Sequence, residues 1–452
     1  MTKQFGDSEE VENLNEEEED YKEENNEEFD NVEFNEEKIM EKIEIKKEDI
    51  PKKRGRKSKK DNPTQSELNQ MSDEEVIKLE PTVEEMYQEF NFFLEKTVGM
   101  IESKKERDII PSGLDVLDAY LGGGFVSGTF SVIVGSPGSG KSTLGIKSIA
   151  KTQEKYNGKI LIGYLDSEVA TTKRRLYNLG VNNPPIKPFS ESITIERVFK
   201  YIEGLCLFKL QNNLIDSPSL IIWDSIANTL SEAEMEVDDP NKVIGLKGRI
   251  LSMLIPKYVS KIAEFNICLI AINQLRDEIS IGGVRKARDL SFLSFGKTMP
   301  GGNAAKFNAF HLLEMKFKEK AEEKKYGFNG FISQISAVKN KAFTPNIPFF
   351  IAGNFKTGFS NFWTNYLFLV KQERILTSAW NSLLNMPERK FRTKEAEYLY
   401  KTDDVFRGAY DELVKDSIQK EIVEKYDPDI MEDDGFILDK NDDDLSEEEE
   451  IS

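Results

Sequence analysis

The chain has 452 residues, 38% of them hydrophobic, with a formal net charge of −20 and two cysteines. That length suits one large domain or two to three smaller ones. The cysteine count excludes a disulfide framework. No apolar run approaches the roughly 20 residues that cross a bilayer, and no signal peptide is visible, so a cytoplasmic protein without a membrane partner is expected. The charge is unevenly placed: residues 1–50 hold 21 acidic side chains against 6 basic, and residues 426–452 hold 13 against 1. The body between them is mildly basic. The acidic total therefore does not exclude nucleic acid, because the acidity sits in end segments that read as solvated tails.

Residues 1–80 hold too little apolar material for a core, and a disordered acidic region is expected. One basic island interrupts it, PKKRGRKSKK at 51–60. Arg54 and Arg56 could enter a minor groove, but a solvated linker is the preferred reading. Residues 81–106 place Val83, Met86, Phe90, Phe93, Leu94, Val98 and Ile101 at helical spacing, with Thr82 and Glu85 as a cap pair. This predicts one amphipathic helix that docks on its own domain or on a neighbouring copy. Over 107–365, the β-branched runs TFSVIVG, KILIGYLD, SLIIWD and ICLIAINQ alternate with helical stretches such as LGIKSIAKTQEKY. That alternation predicts an α/β fold with a mostly parallel central sheet. Residues 366–425 read as a smaller α(+β) unit, mostly helical, followed by the disordered acidic tail 426–452. Cys206 and Cys268 lie in apolar runs and read as buried hydrophobes. His311, the only histidine, falls in the alternating run AFHLLEMKF and reads as a strand-surface residue, not a base or ligand. No cysteine–histidine cluster has metal-ligand spacing.

Residues 135–142, GSPGSGKS, match G-x-x-x-x-G-K-[ST] between a strand and a helix. Gly135, Ser136, Pro137, Gly138, Ser139 and Gly140 would curl so that backbone N–H groups surround a phosphate. Lys141 would reach the β- and γ-phosphates and the Ser142 hydroxyl would ligate Mg²⁺, with Thr143 next in line. Asp224, closing SLIIWD, suits the acid that holds Mg²⁺ through water. KILIGYLDSE ends in Asp166 and Glu168, either of which could orient the attacking water. Glu168 is chosen because it lies just past the strand end. Asn273-Gln274 closes ICLIAINQ and points into the same crevice. An amide there can bond the γ-phosphate and lose that bond after hydrolysis, which makes it a switch. ATP and Mg²⁺ are the implied cofactors.

IPSGLDVLDAYLGGGF, the phosphate loop, YLDSE, IIWDS, AINQLR and PGGNAAKF follow one another in an order that resembles the RecA family of DNA strand-exchange recombinases, over roughly residues 83–425. The resemblance implies Glu168 as the catalytic glutamate and Gln274 as the γ-phosphate sensor. It places Arg276, Gly301, Gly302 and Asn303 in the second DNA-binding loop, where GGN opens a short helix whose N–H groups meet DNA phosphates. GLKGRILS is similar to the helix after the first DNA-binding loop, which puts Ile244, Gly245 and Arg249 at first-loop positions. SAVKNK resembles the paired lysines that reach the ATP of the adjacent subunit, here Lys339 and Lys341.

The acidic tail and divergent ends look most like the phage, UvsX-type branch. Three departures stand out. The stretch between Arg276 and Gly301 is longer than in bacterial relatives. Its Arg285, Lys286, Arg288, Phe292 and Phe295 suit single-stranded DNA, or form an ordinary insertion packing its own rings. The adenine-stacking tyrosine falls on Arg175, whose guanidinium can stack on a base. Pro300 stands where a threonine is usual.

The resemblance implies a DNA-dependent ATPase that forms a helical homo-oligomeric filament on single-stranded DNA and pairs it with homologous duplex, in recombination, repair and recombination-dependent replication. A recombination mediator and a single-strand-binding protein are further candidate partners. The alternatives are a RecA-like ring helicase and a regulatory RecA-like ATPase that binds no DNA.

Overall fold

A computed structural model describes residues 107–182, 193–237, 243, 245–277 and 297–427. The acidic region with its basic island, the expected helix at 81–106, Ile244, Arg285, Lys286, Arg288 and the tail from residue 428 lie outside the described residues.

The described chain opens with β1 (Ile109–Ile110), α1 (Asp115–Tyr120) and β2 (Phe125–Val126). Then come β3 (Phe130–Gly135), α2 (Lys141–Lys155), β4 (Leu161–Asp166), α3 (Lys173–Asn178), α4 (Ile195–Gln211), β5 (Ser219–Asp224), α5 (Glu232–Met235), α6 (Leu246–Glu264) and β6 (Ile267–Gln274). A two-stranded ribbon, β7 (Arg276–Asp277) with β8 (Lys297–Thr298), precedes α7 (Ala304–Asn308). The core closes with β9 (His311–Ala321), α8 (Glu323–Tyr326), β10 (Gly330–Asn340), β11 (Pro348–Asn354), β12 (Gly358–Phe359) and α9 (Asn361–Lys371).

The main sheet has eight strands in the order β12-β11-β10-β9-β3-β6-β5-β4. From β4 to β9 neighbouring strands are parallel, and β10, β11 and β12 continue antiparallel on one side. The fold is α/β with a mostly parallel sheet. The four β-branched runs became β3, β4, β5 and β6 because helices cover both faces, so every side chain in these strands gains by being apolar. On one face Ile133, Ile222 and Ile270 pack with Leu144 and Ile149 of α2. On the other, Val132, Ile221 and Trp223 pack with Phe199 of α4 and Tyr258 of α6. Register aligns the carboxyl ends: Gly135 opposes Gln274, and Asp166 opposes Asp224. Loops leaving those ends share one crevice.

A third cluster joins Trp363, Tyr366 and Leu369 of α9 to Phe391, Phe406 and Tyr410. The expected seam at 365/366 falls inside α9. The unit beyond it holds a three-stranded antiparallel sheet, β13 (Ile375–Leu376), β14 (Asn381–Leu383) and β15 (Met386–Phe391), before α10 (Ala396–Thr402) and α11 (Asp404–Ile418). The unit is mostly helical with a small β part, as the sequence suggests.

His311 corrects a sequence expectation. It is fully buried, with Nδ1 3.3 Å from Ser131 Oγ, and burial pushes its pKa down to about 3. β9 begins at the sheet centre beside β3, where both faces are covered, so alternation there does not mark an exposed side. Cys206 and Cys268 are buried free thiols. Among the described residues no helix is long and apolar enough to cross a membrane.

Candidate nucleotide and nucleic-acid site

β3 delivers the chain to the phosphate loop at Gly135, and α2 starts at Lys141 with Gly140 as its N-cap at φ 94°. A Cβ on Gly140 would stand 2.5 Å from Phe359 Cζ, so the turn requires glycine for conformation and for space. The loop closes on the Ser136 carbonyl, which accepts from Ser139 Oγ at 2.8 Å and Lys141 Nζ at 2.9 Å. Lys141 is buried. Burial lowers its pKa, and the charges of Asp224 and Glu168 act the other way.

Asp224 is buried at the end of β5, where Tyr164 donates to its Oδ2 at 3.0 Å. Burial pushes its carboxyl up to about 6, hydrogen bonds from Ser142 and Tyr164 oppose that shift, and the charges of Glu168 and Asp166 add to it. A buried acid crowded by two others, with a serine hydroxyl on it, fits a divalent cation that would restore the ionised form. Ser142 and Asp224 would hold such a cation, Asp224 through water, with its charge set against the phosphates. Among the described residues no group of three acidic, histidine or cysteine side chains could hold a metal alone.

Asp166 and Glu168 have different surroundings. Asp166 is buried and accepts from two backbone amides, Glu168 N at 3.1 Å and Thr171 N at 2.8 Å. Those bonds tie it to the turn after β4. The Glu168 side chain is exposed on that turn and accepts from Asn228 Nδ2 and, at 3.4 Å, from Ser225 Oγ. Arg175 on α3 donates from Nη2 to Thr143 Oγ1 at 3.3 Å, which sets its guanidinium against the first turn of α2.

Gln274 sits beside Gly135 in the sheet register, and Leu275 N donates to the Gly135 carbonyl at 3.2 Å. Its neighbour Asn273 is buried and donates to the Pro300 carbonyl at 2.9 Å. The polar pair at the end of β6 is therefore one hydrogen bond from the PGGN stretch.

Arg276 pairs with Thr298 and Asp277 with Lys297, so the β7–β8 ladder holds together both ends of the segment between them. Gly301 and Gly302 have φ of 88° and 73°. A Cβ on Gly301 would meet Leu251 Cδ1 at 2.6 Å, and one on Gly302 would meet Gly248 Cα at 3.6 Å. The double-glycine turn thus seats its backbone on the first turns of α6. Gly245 caps α6 at φ 76° and Arg249 is exposed one turn later. Gly245, Arg249, Gly301, Gly302 and Asn303 lie at the same end of α6, with Gly245, Arg249, Gly302 and Asn303 exposed and Gly301 half-buried.

Lys339 donates from Nζ to the Phe307 carbonyl at 2.6 Å and the Lys306 carbonyl at 3.3 Å, where a cation suits the C-terminus of α7. Burial and the charge of Lys341 lower its pKa. Ser333, on the same strand, donates to the Ser139 carbonyl of the phosphate loop at 3.0 Å. Lys339 follows six residues along β10, so at the rise of a strand it stands roughly 20 Å from that loop. The structure does not bring Lys339 and Lys341 to the phosphate loop of their own chain.

A family model described as the RecA N-terminal domain matches residues 79–359. The chain belongs to the RecA family. It is 32% identical over 243 residues to Protein RecA of Leptospira meyeri, covering 53% of this chain and 57% of the relative. It is 31% identical over 241 residues to Protein RecA of Bacillus velezensis, covering 52% and 62%. It is 32% identical over 239 residues to Protein RecA of Ehrlichia ruminantium, covering 53% and 61%. The chain thus spans less than two thirds of the length of these relatives.

The RecA match takes in the phosphate loop, the strand-end acids, both candidate DNA loops and the lysine pair, and it ends at β12. Sequence reasoning missed Asn228, Ser225 and Tyr164, which contact the acids of the RecA site. Tyr164 lay in a recognised strand, two residues before Asp166, so period-2 alternation could have aimed it. Nothing in the local sequence marked Asn228.

Proposed function

We propose that the chain is an ATP-dependent DNA strand-exchange recombinase that forms a filament on single-stranded DNA and pairs it with homologous duplex. One observation carries the reading: the double-glycine turn is seated on α6 and tied through Pro300 and Asn273 to Gln274 beside the phosphate loop. A polynucleotide on the glycine turn and a triphosphate in the loop would thus share one rigid connection.

Bound Mg²⁺–ATP supplies the phosphoryl group that passes to water. The phosphate-loop N–H groups and Lys141 hold the phosphates, while Ser142 and Asp224 would hold the metal. Glu168 orients water and takes its proton. Gln274 reports whether the γ-phosphate is present. Arg175 lies at the base side of Thr143 and offers its planar face to the purine. Lys339 and Lys341 serve the next copy, where they neutralise charge that grows on the phosphoryl oxygens. Such a seam is heterologous and open, so it propagates as a helix. Arg249 and Arg276, with Arg285, Lys286 and Arg288, bind DNA phosphates, and Ile244 makes an apolar contact with the polynucleotide. The acidic tail and divergent ends favour the phage, UvsX-type branch, working in a cytoplasm beside a mediator and a single-strand-binding protein.

The test is electron microscopy of the full chain with ATPγS and long single-stranded DNA, run beside Lys141→Ala. Filaments that require both ligands and vanish in the variant are expected. Closed rings would point to a helicase, and nucleotide turnover indifferent to DNA would point to a regulatory ATPase.

A further inference from the structure

Glu168 is exposed on the turn after β4, and an exposed carboxylate on a flexible stem is a poor base unless something aims it. We propose that Asn228 is the positioning residue that aims it, a role that rests on reading Glu168 as the base of ATP hydrolysis. The Asn228 amide donates to Glu168 Oε1, and Ser225 Oγ donates to the same oxygen at 3.4 Å. Both bonds fall on one oxygen, so the other is the one on which the proton of water lands. A neutral amide aims the carboxylate without placing a full positive charge on it, and so costs it less basicity than a lysine or arginine would.

Both partners are mounted on rigid backbone. On the Glu168 side, Ser167 N donates to the Asp224 carbonyl at 2.7 Å and Ser225 N donates to Ser167 Oγ at 2.9 Å, which extends the β4–β5 pairing past its last residues. On the Asn228 side, the Ser225 carbonyl accepts from Thr229 N at 3.1 Å and Thr229 Oγ1 at 2.7 Å. The buried Trp223 indole donates to Thr229 Oγ1 at 2.8 Å, and Ile226 N donates to the Ile272 carbonyl at 2.9 Å. Asn228 is thus an exposed side chain on a turn anchored at both ends. Nucleophile–base–orienter sets in other hydrolases follow the same logic of a base held by a third group.

The test uses the full chain, steady-state ATP hydrolysis on saturating oligothymidylate, and four variants. Asn228→Ala is expected to lower kcat about 10- to 100-fold with KM for ATP within about twofold, the pattern of a contact needed only for chemistry. Asn228→Asp keeps the shape, loses the donor and adds a like charge, and should fall at least as far. Asn228→Gln retains the amide and should keep more activity than Asn228→Ala. Thermal melts of the variants should match the parent; should Asn228→Ala fail that control, the Asp and Gln pair decides. Parent kcat in both Asn228→Ala and Asn228→Asp, or a rise in KM alone, overturns the assignment. Glu168→Gln separates the two readings: if it still hydrolyses ATP, Glu168 is not the base; if it is inactive while the Asn228 variants run at parent speed, only the role of Asn228 is lost.

Discussion

Gly301→Ala tests the seat of the double-glycine turn. The backbone there has φ 88°, and an L-residue in the left-handed region costs about 1–2 kcal/mol. The new Cβ would lie 2.6 Å from Cδ1 of Leu251, which is fully buried and cannot swing into solvent. Forced repacking of this kind costs about 1–3 kcal/mol. The turn can relieve roughly 2–5 kcal/mol by lifting off α6, and the DNA-bound state that needs the turn in place then carries the cost. Oligothymidylate affinity should therefore fall about 30-fold or more, while nucleotide binding stays within about twofold. Fluorescence anisotropy of a labelled oligothymidylate with ATPγS at fixed salt reads the first, and a fluorescent ATP analogue reads the second. Leu251→Ala should relieve part of the loss, with a coupling of about 0.5–3 kcal/mol between the two changes. Parent DNA affinity in Gly301→Ala, or zero coupling with Leu251→Ala, refutes the reasoning.

Asp224 has its carboxyl raised from 3.8 to about 6, so between those values the folded chain holds a proton the unfolded chain has released. Its contribution to stability is full below about pH 4 and is lost as pH rises through 6. Asp224→Asn should stabilise the nucleotide-free chain at pH 7 by up to about 3 kcal/mol in urea melts, with the gain vanishing near pH 4; a constant difference across pH would rule this out. His311 runs the opposite way: its pKa is lowered from 6.5 to about 3, so stability is present above pH 6.5 and drains as pH falls toward 3. Because it is the only histidine, His311→Asn should remove about one proton's worth of slope between pH 6.5 and 5; an unchanged slope there counts against its burial. Finally, Lys141→Ala mixed with the Lys339→Ala, Lys341→Ala double variant should recover about a quarter of parent ATPase, the share of random seams that pair an intact loop with intact lysines. No recovery above the separate variants would sink the shared seam.

Local sequence determined the parts of this protein that depend on contiguous residues. GSPGSGKS encodes its own loop, because glycine conformations, a lysine and a hydroxyl at set spacing do not need distant partners. Four β-branched runs announced strands buried on two faces, and Asp224 and Gln274 could be placed because a strand end is visible as the last apolar residue before a polar one. Tertiary structure alone decided what those ends meet. Asp166 and Glu168 are both strand-end carboxylates on paper; their surroundings differ because the Glu168 and Thr171 amides fold back onto Asp166. His311 sits in an alternating run that would face water in a half-covered sheet, yet the neighbouring β3 places it at the centre. Lys339 is separated from its own phosphate loop by six residues of β10, and Asn228 meets Glu168 only because β4 and β5 are neighbours. The division follows from range: backbone conformation and binary pattern are set within a few residues, whereas hydrogen-bond partners and burial are set by which strands lie side by side.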